Sequence, residues 1–170
     1  MNYPKRALFI GRFQPFHKGH YTAVKNLLTE YQEVIIALGS AESSITFENP
    51  FSAAERIEMI RSCFSKSDLA KIVIIPIRDI NDHKRWVHHV CSYVPSFSCV
   101  YSNNKLVNQL FLDKGFTVKE MGFFDRHRYE GKRIREHIRT GNNQWKKEVP
   151  KSIVFLVERY NGKERLGSAY

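Results

Sequence analysis

The chain has 170 residues, of which 42% are hydrophobic and 26% are charged, a balance typical of globular proteins. This length suits one compact domain, 1–170, with a real core. Its longest apolar run is far shorter than the roughly 20 residues that span a bilayer, and its N-terminus has too short an apolar stretch for a signal peptide. The composition therefore excludes a membrane-spanning protein, and we expect a cytoplasmic one.

The formal net charge of +10 implies an affinity for polyanions, either nucleic acid or a nucleoside triphosphate. Most basic residues are spread along the chain, which is more typical of a solvated surface than of a nucleic-acid interface. A dense basic cluster does occur over 125–135, and its part 126–128 either faces phosphate or forms a solvated loop. The three cysteines are odd in number and lack metal-type spacing, which favours reduced, mostly buried thiols.

The first elements form a strand-helix-strand unit. An apolar run over 7–10 predicts a buried strand, which Gly11 ends. Residues 14–16 contain a proline that breaks regular structure before a helix over about 18–31. A second apolar run over 34–38 predicts the next strand, and the crossover between the two strands is expected to be right-handed.

The middle of the chain continues the alternation of helices and strands. The polar stretch 41–51 predicts a surface loop. Ser52 followed by Glu55 is a capping box that opens a helix. A third strand is expected over 72–75 and a further helix over 83–93.

Shorter elements follow. Strands are expected at 97–101 and 116–118, separated by a helix that Asn103 can cap. Residues 131–140 predict another helix, which Gly141 closes.

A last helix is expected after Pro150, ending near 161–162 and leaving an exposed tail over 163–170. Five short strands alternating with helices predict an α/β fold with a doubly wound parallel five-stranded sheet. Ligands bind such sheets beyond the carboxyl ends of the strands. We therefore expect one cleft to be formed by the loops after Ile10, Leu38, Ile75, Tyr101 and Val118.

Residues 6–20 carry the clearest chemical pattern in the chain. His17 and His20 are three apart, so at a helix start they share the first turn, where backbone N–H groups are free. With Arg12 and the turn at Gly11 they predict an anion site suited to phosphate. The sequence has no G-x-S-x-G, Walker or G-x-G-x-x-G motif, so we expect the substrate to bring its own ionised nucleophile.

The run GRFQPFHKGH resembles the signature of the nucleotidylyltransferases with an HxGH-type histidine motif. In its full form it is similar to the archaeal branch of nicotinamide mononucleotide adenylyltransferase. The likeness covers nearly the whole chain, because further segments occur in the family's order and approximate spacing: Gly39-Ser40-Ala41, 48–51 with Glu55-Arg56, Ile75-Pro76 with Asp79-Ile80 and Trp86-Val87, 100–102, and Val149-Pro150.

The resemblance implies a Rossmann-like nucleotidylyltransferase fold and a role in NAD biosynthesis. The implied reaction moves AMP from ATP to the 5′-phosphate of nicotinamide mononucleotide, giving NAD and pyrophosphate, with Mg²⁺ bound to the ATP. The attacking phosphate is an anion near neutral pH and needs no general base. The resemblance also implies a homo-oligomer, with a hexamer as one expected form, and no nucleic-acid or membrane partner is expected.

Site residues are assigned by the same resemblance. Around the triphosphate and its reacting α-phosphorus it places the catalytic group Arg12, His17 and His20. On the ATP side it places Gly11, Phe13, Gln14, Gly19 and Arg135, and Lys132 is a further ATP-side candidate because of its charge. On the nicotinamide mononucleotide side it places Ser40, Asp79, Ile80, Asn81 and Trp86. From the sequence alone, packing on the apolar face of a helix is the favoured explanation for Trp86, and only the resemblance reverses that preference.

One segment departs from the family pattern. Where a Ser-Gly-Thr run commonly opens the late helix, this chain has Glu130, Gly131 and Lys132. Lys132 can supply charge in place of the missing hydroxyls, whereas Glu130 would repel a phosphate if it faced inward. No metal site is expected from His83, His88 and His89, because their spacing does not place three ligands on one helical face.

Two alternative functions remain open on the sequence. The first is an adenylyl- or cytidylyltransferase that acts on a different phosphorylated acceptor, since little of the opening motif concerns the acceptor. The second is a non-catalytic nucleic-acid-binding module, which the net charge of +10 would favour.

Overall fold

The computed structural model describes residues 4–120 and 129–168. The predicted basic segment 126–128 therefore lies outside the described residues. The described chain divides into two compact units, which consist of residues 4–11, 23–41 and 66–120 in the first and residues 12–22, 42–65 and 129–168 in the second. The assignment of 1–170 to a single domain stays a prediction.

Fourteen helices and strands are present in the described residues. In chain order they are β1 (Arg6–Gly11), α1 (Lys18–Glu30), β2 (Glu33–Leu38), α2 (Ala53–Arg61), α3 (Lys66–Leu69), β3 (Ile72–Pro76), α4 (His83–Tyr93), β4 (Cys99–Tyr101), α5 (Lys105–Asp113), β5 (Val118–Lys119), α6 (Gly131–Thr140), α7 (Trp145–Glu148), α8 (Lys151–Arg159) and α9 (Gly162–Ser168).

The first unit contains the sheet, whose strand order is β3-β2-β1-β4-β5. Every pair of neighbouring strands is parallel, with Leu8 opposite Ile35 on one side and Val100 on the other. Because β1 and β2 are buried on both faces, they consist of continuous apolar residues instead of an alternating pattern. The predicted doubly wound parallel five-stranded α/β fold is confirmed.

A single apolar cluster fills one face of the sheet in this unit. It joins side chains of the strands to Val87 and Val90 of α4 and Phe111 of α5. Burying side chains of this size is the main stabilising contribution, at about 1.5–3 kcal/mol for each one. The cluster also explains the helical spacing of apolar residues in α4 and α5.

Helix caps show how closely the sequence signals define the elements. Asp82 caps α4 by accepting hydrogen bonds from the backbone N–H groups of Lys84 and Arg85. The cap of α5 is Asn104, so the prediction of Asn103 is wrong by one residue. Either of the two adjacent asparagines could act as the N-cap, and only the backbone conformation decides which one does.

The second unit consists of helices and loops. The predicted capping box is confirmed, since Ser52 accepts from the N–H of Glu55 and Glu55 accepts from the N–H of Ser52. Helix α6 has the predicted bounds and ends at Gly141, whose φ of 75° is the left-handed conformation that favours glycine. Pro150 is the N-cap of α8, as expected.

Three short helices were missed. The segment predicted as an exposed tail contains α9, in which Leu166 is buried and Arg165 forms two hydrogen bonds with the Glu55 carboxylate. Lys163, Glu164, Gly167 and Ser168 are exposed as predicted, but the helix was not predicted, because a single apolar residue carries no readable periodicity. The four-residue helices α3 and α7 are likewise too short to leave a pattern.

Burial of the thiols is less complete than predicted. Cys99 is buried, whereas Cys63 and Cys91 are half-buried, and all three are free of disulfide bonds. Of the helices in the described ranges, none combines the length and apolar character needed to cross a membrane.

Candidate active site

The predicted histidine pair lies at the start of α1, in the second unit. His17 precedes the helix and its carbonyl accepts the first helical hydrogen bond, from the N–H of Tyr21. The two rings are stacked, with centroids 3.5 Å apart and planes at 17°. Each Nδ1 accepts a hydrogen bond of 3.3 Å from the backbone N–H of the other histidine. The prediction that the two imidazoles share the first turn is confirmed.

Both imidazoles are neutral near pH 7. Burial lowers the pKa of His17 to about 3. Burial, and then the charge of His17, lower the pKa of His20 well below its usual range. Because each Nδ1 is an acceptor, the proton of each neutral ring lies on Nε2. The pair therefore supplies two N–H donors, and a nearby anion would raise the pKa of both rings.

The lowered pKa of His17 predicts a pH-dependent stability. In the unfolded chain this histidine has a pKa near 6.5, so below that value the unfolded state binds more protons. We expect the free energy of unfolding to fall as the pH drops from about 6.5 toward about 3, by up to about 1.4 kcal/mol per pH unit for this group. Urea unfolding at a series of pH values measures the slope.

The variant His17→Gln is expected to flatten that slope, because it removes the titrating group. His88→Gln is the matched control, since His88 is exposed on α4, and it should keep the wild-type slope. Parallel curves for the wild type and His17→Gln would show that the His17 ring is not held neutral by burial.

Buried contacts hold the loop that precedes the histidines. Gln14 donates to the carbonyl of Phe51 at 2.7 Å and accepts from the N–H of Phe51 at 3.1 Å. Phe13 is buried, has a φ of 54°, and meets the His20 ring edge-on at 4.8 Å between centroids. Both polar atoms of the Gln14 side chain therefore bond the backbone of Phe51. The backbone carbonyl of Gln14 bonds a different residue, Arg135. The peptide bond between Gln14 and Pro15 is cis.

Arg135 of α6 reaches the same loop. Its Nη1 donates to the carbonyl of Gln14 at 2.9 Å, and its guanidinium lies 5.5 Å from the centre of the Phe47 ring. The residue is 5% exposed, and its Nε makes no hydrogen bond within the described residues. Burial, followed by the charge of Arg12, lowers the pKa of Arg135 to about 10. A buried, incompletely bonded cation of this kind favours an anionic ligand.

Two further cations of this region, Arg12 and Lys132, are exposed. Arg12 is exposed, and its backbone carbonyl accepts a hydrogen bond of 2.8 Å from Nη1 of the fully buried Arg56. Lys132 and Glu130 are also exposed, and Glu130 caps α6 without a side-chain hydrogen bond. The charge of Glu130 acts on Arg135 in the direction that raises its pKa.

Two glycines permit close packing here. A Cβ at Gly19 would lie 3.1 Å from Cβ of Tyr129 and 3.2 Å from the His17 ring. A Cβ at Gly131 would lie 3.3 Å from Nη1 of Arg135. A side chain at either position would therefore crowd His17 and Tyr129 or Arg135.

In the first unit the structure brings together part of the predicted mononucleotide side. The Ser40 hydroxyl donates to Asp79 Oδ2 at 2.6 Å. Ser40 and Asn81 both have positive φ values, 48° and 51°. Gly11 ends β1, and its carbonyl accepts a hydrogen bond of 2.9 Å from the N–H of Gly39. Strained backbone at strand ends is common where ligands bind.

Trp86 is half-buried on α4. Its ring meets Phe111 edge-on at 5.9 Å and packs against the apolar cluster of the sheet. Packing on the helix face, the alternative explanation for this tryptophan, is therefore part of its role. The exposed part of the ring is still able to stack on a planar ligand. Ile80, six residues before Trp86, is also half-buried, whereas its neighbours Asp79 and Asn81 are exposed.

A protein-bound metal site is not apparent in the ranges 4–120 and 129–168, where no group of three or more His, Cys, Asp or Glu side chains is arranged to hold an ion. Of the α4 histidines, His83 and His88 are exposed. His89 Nε2 lies 3.0 Å from the carbonyl oxygen of Arg78, so its ring is hydrogen-bonded to backbone.

Some residues that shape the site were not predicted. Tyr129 stacks near His17, with ring centroids 6.2 Å apart, and Phe47 contacts Arg135. The hydrogen bond of Arg56 to the carbonyl of Arg12 could not be predicted from the sequence. The one available hint was that Arg56 stands beside apolar residues of α2. Loop aromatics such as Phe47 and Tyr129 have no periodicity that could reveal them.

Comparison with known proteins defines the family. A model of the cytidylyltransferase-like family matches residues 8–154. The nicotinamide-nucleotide adenylyltransferase of Archaeoglobus fulgidus is 44% identical over 166 residues, which cover 95% of each chain. Proteins of the same name from Pyrobaculum arsenaticum and Picrophilus torridus are each 42% identical, and the match covers 96% and 95% of this chain and 93% and 95% of theirs.

Solved structures confirm the fold. A bifunctional NMN adenylyltransferase/ADP ribose pyrophosphatase from Francisella tularensis matches 97% of this chain with a TM-score of 0.73 and 20% identity. A structure of the same enzyme complexed with AMP and Mn ion matches with a TM-score of 0.72 and 22% identity. This chain spans about half the length of those two, 53% and 52%. The chain belongs to the cytidylyltransferase-like family, in the branch of the archaeal nicotinamide-nucleotide adenylyltransferases.

Proposed function

We propose that this protein transfers the adenylyl group of ATP to the 5′-phosphate of nicotinamide mononucleotide, producing NAD and pyrophosphate. The observation that carries the proposal is the stacked neutral pair His17 and His20, which follows a loop whose Gln14 carbonyl is held by the buried cation Arg135 of α6. Such donors suit a triphosphate and do not supply a nucleophile. Relatives in the family bear this activity in their names.

The reaction needs no proton transfer by the protein. An oxygen of the mononucleotide phosphate attacks the α-phosphorus of ATP, forming a new P–O bond. The bond from the α-phosphorus to its bridging oxygen breaks, and pyrophosphate leaves with the electron pair. Mg²⁺ enters as the ATP complex and neutralises part of the leaving charge. The protein's contribution is to orient both phosphates and to stabilise charge in the transition state.

In this proposal Arg12, His17, His20 and Arg135 bind the triphosphate. Gly11, Phe13, Gln14 and Gly19 shape the loop, and Lys132 adds positive charge from the exposed start of α6. The role of Gln14 is indirect, because its side chain bonds Phe51 and its carbonyl holds Arg135. On the acceptor side, Trp86 stacks on the pyridine ring, with Ser40, Asp79, Ile80 and Asn81 near the amide and ribose.

A product assay tests the proposal. Purified protein is incubated with Mg²⁺·ATP and nicotinamide mononucleotide, and both products are quantified. We expect NAD and pyrophosphate to form in equal amounts. CTP, nicotinic acid mononucleotide and other phosphate esters are supplied in parallel. Turnover of a different acceptor without NAD formation would identify another nucleotidylyltransferase. Strong salt-dependent nucleic-acid binding without any turnover would instead support a binding module.

Trp86 provides a selective test of the acceptor side. We expect Trp86→Ala to raise KM for nicotinamide mononucleotide about 10-fold, since stacking of an aromatic side chain on a base contributes about 1–3 kcal/mol. KM for ATP should stay within about twofold. Steady-state kinetics with each substrate varied in turn give both constants.

Trp86→Phe is the matched control, because it keeps an aromatic ring against Phe111 while reducing the stacking area. It should preserve thermal stability and fall between the wild type and Trp86→Ala in KM. Equal rises in both KM values for Trp86→Ala would indicate a general packing defect in place of a specific contact with the pyridine.

A homo-oligomer and a cytoplasmic location remain part of the proposal.

A further inference from the structure

Glu148, the last residue of α7, is a buried carboxylate that the proposed reaction does not use. It is 1% exposed. Its Oε1 accepts a hydrogen bond of 2.9 Å from Nη2 of Arg133, and its Oε2 lies 3.8 Å from Nδ1 of His137. Within the part of the chain that the structure describes, neither Oε2 of Glu148 nor Nδ1 of His137 makes a hydrogen bond. A buried carboxylate is costly, so its position needs an explanation.

The two partners of Glu148 share one face of α6. Arg133 and His137 are four residues apart, which places them one above the other on a helix. Arg135 lies two residues from each, or about 200° around the axis, and so points to the opposite side. There its Nη1 donates to the carbonyl of Gln14. Helix α6 is thus held on one face by Glu148 while it presents Arg135 on the other.

This arrangement controls how α6 is rotated about its own axis. A guanidinium extends about 6 Å from the helix axis, so a rotation of about 15° would move it by about 1.5 Å. Displacements of that size are enough to cost about 100-fold in a well-oriented reaction. The hydrogen bond between Glu148 and Arg133 opposes such a rotation, because it would have to lengthen.

We propose that Glu148 is a positioning residue that fixes the rotation of α6 and thereby aims Arg135 at the triphosphate. The inference rests on the proposed function, in which Arg135 binds ATP. It differs from a purely structural role, in which changing one partner of the buried pair would lower stability and leave the ATP affinity of the folded protein unchanged. The two roles therefore predict different effects of a shape-conserving change.

The test is Glu148→Gln, which keeps the shape of the side chain but replaces the carboxylate with a neutral amide. The hydrogen bond from Arg133 that opposes rotation of α6 is thereby weakened, because bonds between two charged groups are the stronger kind. We expect ATP to bind about 10-fold more weakly by titration calorimetry, and kcat to fall about as much, with KM for the mononucleotide unchanged. Glu136→Gln is the matched control, because Glu136 pairs with Arg139 on the same helix at 2.6 Å but its side chain is 44% exposed, against 1% for Glu148. It should bind ATP within twofold of the wild type.

A double-mutant cycle separates positioning from stability. If Glu148 acts through Arg135, adding Glu148→Gln to the variant Arg135→Lys should weaken ATP binding little further. Circular dichroism confirms that each variant is folded. If Glu148→Gln does not fold, Arg133→Gln tests the same link from the helix side, since its shorter, uncharged amide holds the carboxylate of Glu148 less firmly.

Unchanged ATP affinity in a folded Glu148→Gln protein would overturn the inference, and so would fully additive effects in the cycle. The binding measurement keeps this outcome distinct from failure of the proposed function. If the wild type binds ATP but makes no NAD, the reaction is wrong, while the comparison of ATP affinities still decides the role of Glu148.

Discussion

Replacing His20 with alanine is expected to lower kcat for adenylyl transfer by about 10²–10³-fold, the usual effect of removing one donor that stabilises transition-state charge. The ring is neutral because its pKa lies well below the usual range, so it acts as an N–H donor at neutral pH. Binding of ATP should change less than kcat, because the charge at the reacting phosphorus grows in the transition state. Single-turnover kinetics with saturating ATP measure the chemical step.

Amide replacements at the same position locate the donor. The amide of glutamine can reach the place of Nε2, whereas that of asparagine reaches only the place of Nδ1, which accepts the N–H of His17 at 3.3 Å. We therefore expect His20→Gln to retain more activity than His20→Asn. His88→Ala, at an exposed position of α4, should be fully active. Equal losses in both amide variants would contradict a role for the Nε2 proton.

A loss of about 100-fold or more in kcat/KM for ATP is expected for Arg135→Lys, although the positive charge is kept. The arginine uses Nη1 to hold the carbonyl of Gln14 and has further donors for a phosphate. A lysine has one nitrogen and cannot serve both partners with the same planar geometry. Because the site is buried, the arginine's affinity for an anion is also less screened by water.

Arg139→Lys is the control for this change, since Arg139 lies on the same helix and pairs with the partly exposed Glu136. We expect its ATP kinetics to match those of the wild type. If Arg135→Lys retained nearly full kcat/KM, a single positive charge would be sufficient at this position. The proposal that the guanidinium serves the Gln14 carbonyl and a phosphate at the same time would then be wrong.

The sequence predicted the sheet and the longer helices because each has a strong local pattern. Helices α4 and α6 have the predicted bounds, since a proline follows one and a left-handed glycine ends the other. The cap of α5 was misplaced because neighbouring asparagines are chemically equivalent. Helix α9 could not be predicted, because Leu166 alone sets no helical periodicity and the contact of Arg165 with Glu55 joins residues 110 apart in the chain.

Only part of the candidate site could be predicted from the sequence. The spacing of His17 and His20 was enough to bring their rings together, because the first turn of a helix has a fixed geometry. The hydrogen bonds of Gln14 to Phe51 and of Arg56 to the carbonyl of Arg12 depend on tertiary packing, and no local pattern encodes them. The same holds for Glu148, whose partners lie on another helix.

The central claim is that the acceptor phosphate itself attacks the α-phosphorus of ATP, with the protein supplying orientation and charge. Nicotinamide mononucleotide labelled with ¹⁸O in its phosphate tests it directly, with the products analysed by mass spectrometry. The account predicts that NAD retains all of the label, including the oxygen that bridges its two phosphorus atoms, and that pyrophosphate carries none. Label in the released pyrophosphate, or product formed without the labelled bridge, would contradict it.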